Sequence, residues 1–336
     1  MLHRRFVILA ALLVLLVAAP APITAQGSLP DFTARIDADM VMAHVEALSV
    51  DIGARPMGSA EEAAAADYIA AAFKDWGYAV EIQAFETVAP AEEEDAEGEP
   101  VTSRNVIATL AGDGEMIVVG AHMDSVTDGT GAGDNASGVA AMLAAAEALA
   151  DLDTVHTLVF VAFGAEEGGN PSGADMYVES LGEDIGSVIA MLNLDSVGVG
   201  TNLNVYAGAE ITWPDDEDAA PEIVGGPTWV RDLALDLAAE MNLPLGTTPD
   251  ETWGGFTGDW SDHYAFVLEG VPVAYFEAWL WEGGENPWWG QETEAGDVMH
   301  TPGDVYENVA PEKVEMAAEV VAATAAALAL GLAGPE

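Results

Sequence analysis

The stretch Met116-Ile117-Val118-Val119-Gly120-Ala121-His122-Met123-Asp124 decides the fold. Its first half is a short β-branched apolar run, and its second half releases an imidazole and a carboxylate. The same grammar recurs twice. Residues 157–163 form an apolar run that ends in Gly164-Ala165-Glu166-Glu167, and residues 188–194 form another that ends directly in Asp195. Uninterrupted apolar runs of this length predict strands buried on both faces, as in a parallel sheet. In open α/β sheets, ligands bind outside the carboxyl ends of the strands. Three strands therefore deliver side chains that can hold a metal to one edge. A fourth candidate, Asp134, lies in a Gly-rich turn, residues 131–138, that opens a predicted helix at 136–150.

Working outward, strands are predicted near 79–85, 105–110, 116–121, 157–163, 188–194, 203–207 and 271–276. Helices are predicted at 37–50, from Ser59 to Gly77, and at 136–150, 172–181, 227–241 and 311–330. Ser59 and Glu62 have the spacing of a capping box. Strands alternating with helices imply an α/β fold, a three-layer α/β/α sandwich with a mixed, largely parallel sheet. No linker divides residues 26–336, so one domain is expected. The acidic runs at 92–99 and 215–218 read as solvated loops, for which calcium binding is the sharper alternative. Residues 279–297, rich in Gly, Trp and Glu, read as a long functional loop, in which Trp279, Trp281, Trp288 and Trp289 either wall a substrate pocket or anchor the loop.

The N-terminus reads as an address. His3, Arg4 and Arg5 precede an apolar run at 6–17, and a cleavage point after Ala25 follows. This is the order of a secretory signal peptide, residues 1–25, and the run is shorter than the ~20 residues a membrane span requires. The expectation is a secreted or periplasmic protein with no stable membrane partner after cleavage. With no cysteine in the chain, there are no disulfides and no lipidated N-terminal cysteine. The 58 acidic residues face only 8 basic ones, two of them inside the signal, which argues against nucleic acid as a partner. Salt adaptation and plain solubility both account for such acidity. The 51% hydrophobic composition argues against disorder.

Taken singly, each candidate has an ordinary explanation. Asp134 could cap the helix that follows it, and adjacent glutamates are usually solvated. Their convergence on one sheet edge is the stronger signal.

The chain resembles the M28 peptidases, co-catalytic zinc aminopeptidases, from about residue 40 to 330. The resemblance is carried by Gly120-Ala121-His122-Met123-Asp124-Ser125, Gly133-Asp134-Asn135-Ala136-Ser137-Gly138, Glu166-Glu167, Asn193-Leu194-Asp195, Ser261-Asp262-His263 and His300-Thr301-Pro302-Gly303-Asp304. Gly53-Ala54-Arg55-Pro56, Gly58-Ser59 and Arg104 to Ala108 look like the family's N-terminal portion. The resemblance implies two Zn2+ ions per chain. Asp134 would bridge them, His122 and Asp195 would complete one site, and Glu167 and His300 the other. It implies Glu166 as general base toward a metal-bridging hydroxide, Asp124 as the acceptor that orients His122, and a supporting role for His263. Manganese or cobalt would suit the same donors. His44 and His156 show no partners in the sequence and read as structural.

The implied activity is removal of the N-terminal residue from peptides. Alternatives on the same scaffold are a glutaminyl cyclase, with one zinc, a carboxypeptidase, an N-acyl amino-acid hydrolase, or a non-catalytic binding protein. The related M20 family usually inserts a dimerisation domain, and no such insert is evident. One departure stands out. Relatives often supply a tyrosine hydroxyl to the reaction intermediate, but residues 256–260 here read Phe-Thr-Gly-Asp-Trp. Tyr264 and Tyr275 are the candidate replacements.

Overall fold

A computed structural model describes residues 32–90, 98–214, 221–248, 253–279, 292–293 and 296–334. The predicted signal segment, most of the acidic run at 92–99, all of 215–218, and Trp281, Trp288 and Trp289 lie outside the described residues. The chain runs α1 (Ala38–Glu46), α2 (Ala60–Asp75), β1 (Ala79–Ala89), β2 (Glu99–Leu110), β3 (Met116–His122), α3 (Gly138–Leu149) and β4 (Thr157–Phe163). It continues with α4 (Gly173–Leu181), β5 (Val188–Leu194), β6 (Asn202–Tyr206), β7 (Ala209–Thr212), β8 (Glu222–Gly225) and α5 (Trp229–Met241). The last elements that matter here are α6 (His263–Leu268), β9 (Val273–Trp279) and α7 (Pro311–Ala329).

Seven strands form one sheet in the order β1-β2-β4-β3-β5-β9-β6. Its centre, β4-β3-β5-β9, is parallel. The flanking pairs β1-β2, β2-β4 and β9-β6 are antiparallel, so the sheet is mixed with a parallel middle. The central strands are apolar throughout because both their faces are covered. One face packs under α1, α2, α3, α5 and α7, and the other under α4 and α6. Alanine dominates α3 and α7, and such small side chains let these two buried helices pack closely together.

Local signals behave as their chemistry requires, with one revision. The Ser59 hydroxyl accepts from the Glu62 N–H at 3.0 Å and so caps α2. The Glu62 carboxylate does not return to Ser59. It accepts instead from the Gly58 N–H and the Ser103 hydroxyl, joining the helix start to β2. The ribbon β7-β8 and the short helix α6 are absent from the sequence reading, because elements this short carry too few residues for a period to register.

Candidate metal centre

Three parallel strands end side by side at the site. His122 closes β3, Glu166 and Glu167 follow β4 by a short turn, and Asp195 follows β5. The turn that carries Asp134 lies before α3, and His300 arrives on the segment ahead of α7. Asp134 is not a helix cap. Asn135 takes that duty, its side-chain oxygen accepting from the N–H groups of Gly138 and Ser196 at 2.9 and 3.0 Å. The Asp134 carboxylate is thereby left for the site.

That carboxylate is split between two imidazoles. Oδ1 lies 3.2 Å from His122 Nε2, and Oδ2 lies 3.0 Å from His300 Nε2. On one side, Asp195 Oδ1 approaches His122 Nε2 at 3.3 Å. On the other, Glu167 Oε2 approaches His300 Nε2 at 3.2 Å. The donors thus form two sets sharing Asp134: His122, Asp134 and Asp195, and Asp134, Glu167 and His300. Within each set the ligand atoms lie within 4.8 Å of one another. These residues fit a metal pair. A buried oxygen of Glu167, Oε1, has no hydrogen-bond partner, an expensive condition unless a cation accepts it.

The charges agree. Burial drives the Glu167 carboxyl up to about 7, with Asp134 adding to the rise. Burial also opposes charge on Asp134, yet hydrogen bonds from His122 and His300 hold it well below the usual carboxylate range. Hydrogen bonds to Asp134 and Glu167 raise His300 to about 11. Burial works against a charged His122, but Asp195 and Glu166 outweigh it and lift the imidazole well above its ordinary value. Without a metal, the imidazoles supply the positive charge that this crowd of carboxylates needs. Divalent cations would supply more of it.

Glu166 stands at the mouth of the cluster. Its side chain is 16% exposed, and Oε2 lies 3.9 Å from His122 Nε2. Burial raises its carboxyl well above the ordinary value. Asp124 has a broader task than orienting His122. Its carboxylate accepts from the backbone N–H groups of Glu166 and Glu167 at 3.1 and 3.2 Å, fixing the turn that presents both glutamates. Its carboxylate is 3.7 Å from His122 Nδ1, while its main-chain carbonyl lies at 3.3 Å. Because a carbonyl only accepts, that contact places the proton on Nδ1 and frees Nε2 for a metal.

Two further residues hold the loops. The Asp304 carboxylate accepts from the Gly133 and Asp134 N–H groups. Arg55 is fully buried and donates to the carbonyls of Met123, Leu48, Gly53, Thr130 and Gly131. Gly131 has φ +62°, and a Cβ there would stand 2.7 Å from the Arg55 guanidinium, so the close approach requires glycine.

His263 lies away from the ligand atoms. Its ring stacks on Tyr275 at 4.6 Å, and its Nε2 donates to the Gly258 carbonyl at 2.8 Å. Burial holds this imidazole down to about 4, so it is neutral. His44 and His156 do have partners: His44 Nδ1 meets the Tyr68 hydroxyl at 2.7 Å, and His156 Nδ1 accepts from the Glu115 N–H at 3.0 Å.

A cavity of about 400 Å³ opens on the cluster, walled by Trp253, Trp260, Trp279, Met299, Tyr275 and Glu277. Of the tryptophans singled out by composition, Trp279 is in this wall. Trp253 and Trp260 were not legible, since only the fold brings them there. Glu277 left a signal, a lone carboxylate among the apolar residues of β9. Asp262, quoted in the sequence within Ser261-Asp262-His263 but given no role there, is buried near Glu166, with neither carboxyl oxygen hydrogen-bonded and its carboxyl raised by burial. Tyr264 lies further off, its hydroxyl accepting from the Ile211 N–H at 3.4 Å.

Comparison with known proteins gives a family and a shared fold. The profile of peptidase family M28 matches residues 105–325. Among curated proteins, the chain is 27% identical over 270 residues to the alkaline phosphatase isozyme conversion protein of Escherichia coli, covering 73% of this chain and 75% of that one. It is 29% identical over 215 residues to aminopeptidase YwaD of Bacillus subtilis, covering 62% of this chain but only 40% of the relative. The fold is shared with an aminopeptidase from Aneurinibacillus sp. strain AM-1, with TM-score 0.66, 22% identity, and 91% and 98% of the two chains covered. It is shared equally with a glutaminyl cyclase from Porphyromonas gingivalis, with TM-score 0.65, 22% identity, and 88% and 99% covered.

Proposed function

The chain belongs to peptidase family M28, and from that premise we propose that it is a secreted, two-zinc aminopeptidase. The observation that carries the proposal is the division of one carboxylate, Asp134, between His122 and His300. This supports a metal pair with Asp134 shared, His122 and Asp195 on one side, and Glu167 and His300 on the other. Bound zinc would act as a Lewis acid on the scissile carbonyl and make water acidic near neutral pH.

The chain's own residues do the rest. Glu166, raised by burial and open to the cavity, takes a proton from the attacking water and returns it to the leaving amine. Asp124 holds the two glutamates in register through their backbone N–H groups. The acidic lining of the cavity attracts the α-ammonium of a peptide, which favours cleavage at the N-terminus. The sequence reading of residues 1–25 as a signal supports export. Among the described residues, no helix is long and apolar enough to cross a membrane. The family resemblance implies one zinc for a cyclase on this fold, so metal stoichiometry separates that reading from the peptidase.

Glu166→Gln should keep its metal and its substrate affinity but lower kcat by about 10²–10⁴, the range of general acid–base assistance. Blocking the peptide's α-amino group by acetylation should stop cleavage. Rapid hydrolysis of N-acetylated peptides would overturn the aminopeptidase reading, and a fully active Glu166→Gln enzyme would overturn the role of the base.

A further inference from the structure

Glu277 is neither one of the proposed metal ligands nor the proposed base, yet it lies in the cavity beside them. Side chains alternate along β9. Ala274, Phe276 and Ala278 enter the core beneath the larger helical layer, while Tyr275 faces the opposite side. Glu277, two residues on, shares that side. In the sheet register Tyr206 of β6 sits opposite Tyr275, and Asn204 opposite Glu277. Tyr275 and Tyr206 flank the Glu277 carboxyl, which burial raises well above its ordinary value and which these two neighbours bring part of the way back down. The residue is 3% exposed, and what it faces is the cavity lined by Trp253, Trp260, Trp279 and Met299.

A pocket built only for apolar side chains has no use for this acid. A carboxylate removed from water carries a heavy desolvation penalty unless a cation or donors repay it. A carboxylate offers about four lone-pair sites, more than two flanking tyrosines can fill, so it keeps acceptor capacity for a ligand. The walls suit a particular ligand. Tryptophan and methionine accommodate an aliphatic stem, and aromatic rings attract a cation at its end. Trp253 and Trp260 pack edge to face at 5.2 Å, so this wall is held by its own contacts.

We propose that the cavity receives the side chain of the substrate's N-terminal residue and selects lysine or arginine, with Glu277 accepting hydrogen bonds from the terminal ammonium or guanidinium. The proposal rests on the aminopeptidase reading and adds a substrate class to it. A leucine or norleucine side chain would fill the same volume but leave Glu277 without a counter-charge, so the site discriminates against neutral residues.

The test compares kcat/KM of the zinc-loaded enzyme on lysyl, arginyl, leucyl and norleucyl p-nitroanilides. Norleucine keeps the straight chain of lysine without its charge. The basic substrates should exceed norleucyl by at least ~10-fold, and Glu277→Gln should shrink that ratio by at least ~10-fold, as expected when a charge-assisted hydrogen bond becomes neutral. The lysyl and arginyl arms show which cation the pocket prefers. A second measurement needs neither turnover nor the variant: L-lysinamide should raise the melting temperature of the zinc-loaded wild type more than L-norleucinamide does. A wild type that prefers leucyl or norleucyl, or that is stabilised equally by the two amides, overturns the proposal. So does a Glu277→Gln enzyme that loses activity on all four substrates in equal proportion, which would assign Glu277 to the α-ammonium. If none of the four substrates is cleaved, the aminopeptidase reading fails, and the melting comparison still decides the pocket.

Discussion

Replacing Arg55 with methionine keeps an apolar stem of similar reach and removes the guanidinium that ties the metal loops together. Three of its bonds are to buried carbonyls, those of Met123 at 2.8 Å, Leu48 at 3.2 Å and Gly131 at 2.8 Å. Two more, to Gly53 and Thr130 at 2.9 Å each, are partly buried. A buried acceptor left unmet costs ~1–3 kcal/mol, so the three together amount to ~3–9 kcal/mol. Against this, burial brings the guanidinium down to about 10 despite the nearby carboxylates. That depression reports a cost of ~3 kcal/mol for keeping the group charged inside the protein, which methionine escapes. With ~0.5–1.5 kcal/mol added for each of the two partly buried bonds, the net loss is about 1–9 kcal/mol, a large share of a typical domain's stability. Urea unfolding followed by circular dichroism measures it. The protein should be chelated throughout, because metal bound only to the native state would add its own stabilisation. Lysine at the same position offers only three donors from a point charge and should recover part of the loss. An Arg55→Met protein within ~1 kcal/mol of wild type would refute the assignment of Arg55 as the tie between these loops.

Metal analysis of the purified protein should approach two equivalents of zinc per chain. Asp134→Ala should lose both and His300→Ala one preferentially, whereas one tight equivalent at saturation would exclude the pair. Glu62 gives a pH signature, since burial raises its carboxyl to about 7. The folded protein therefore holds a proton there more tightly than the unfolded chain, a contribution present in full below the unfolded value and lost as pH rises through about 7. Glu62→Gln should accordingly gain about 2–3 kcal/mol relative to wild type between pH 5 and 8, read from unfolding curves at each pH. A difference that does not change with pH would contradict this origin. With a formal net charge of −50, thermal stability should climb between dilute and molar salt as self-repulsion is screened. A flat response would leave the acidity as a matter of solubility.

The order of strands and helices was determined by the sequence, because the central strands are apolar without interruption and the helices carry their own period and caps. The same local rule exposed most of the candidate site. A parallel strand that ends in an imidazole or a carboxylate announces its position, and His122, Glu166, Glu167 and Asp195 all follow this rule. Asp134 was ambiguous in the sequence, since a carboxylate before a helix is equally a cap. Only the tertiary structure, by giving the cap to Asn135, left Asp134 to face two histidines. Asp124 read as a partner of His122, and the fold shows its carboxylate bound to the backbone of Glu166 and Glu167, some 42 residues away in the chain. The task of Arg55, the place of Trp253 and Trp260 in the wall, and the pairing of Tyr206 and Tyr275 around Glu277 were beyond local reading for the same reason. Hydrogen bonds and cavities made between distant segments leave no period or spacing in the chain, so they exist only once the sheet has brought those segments together.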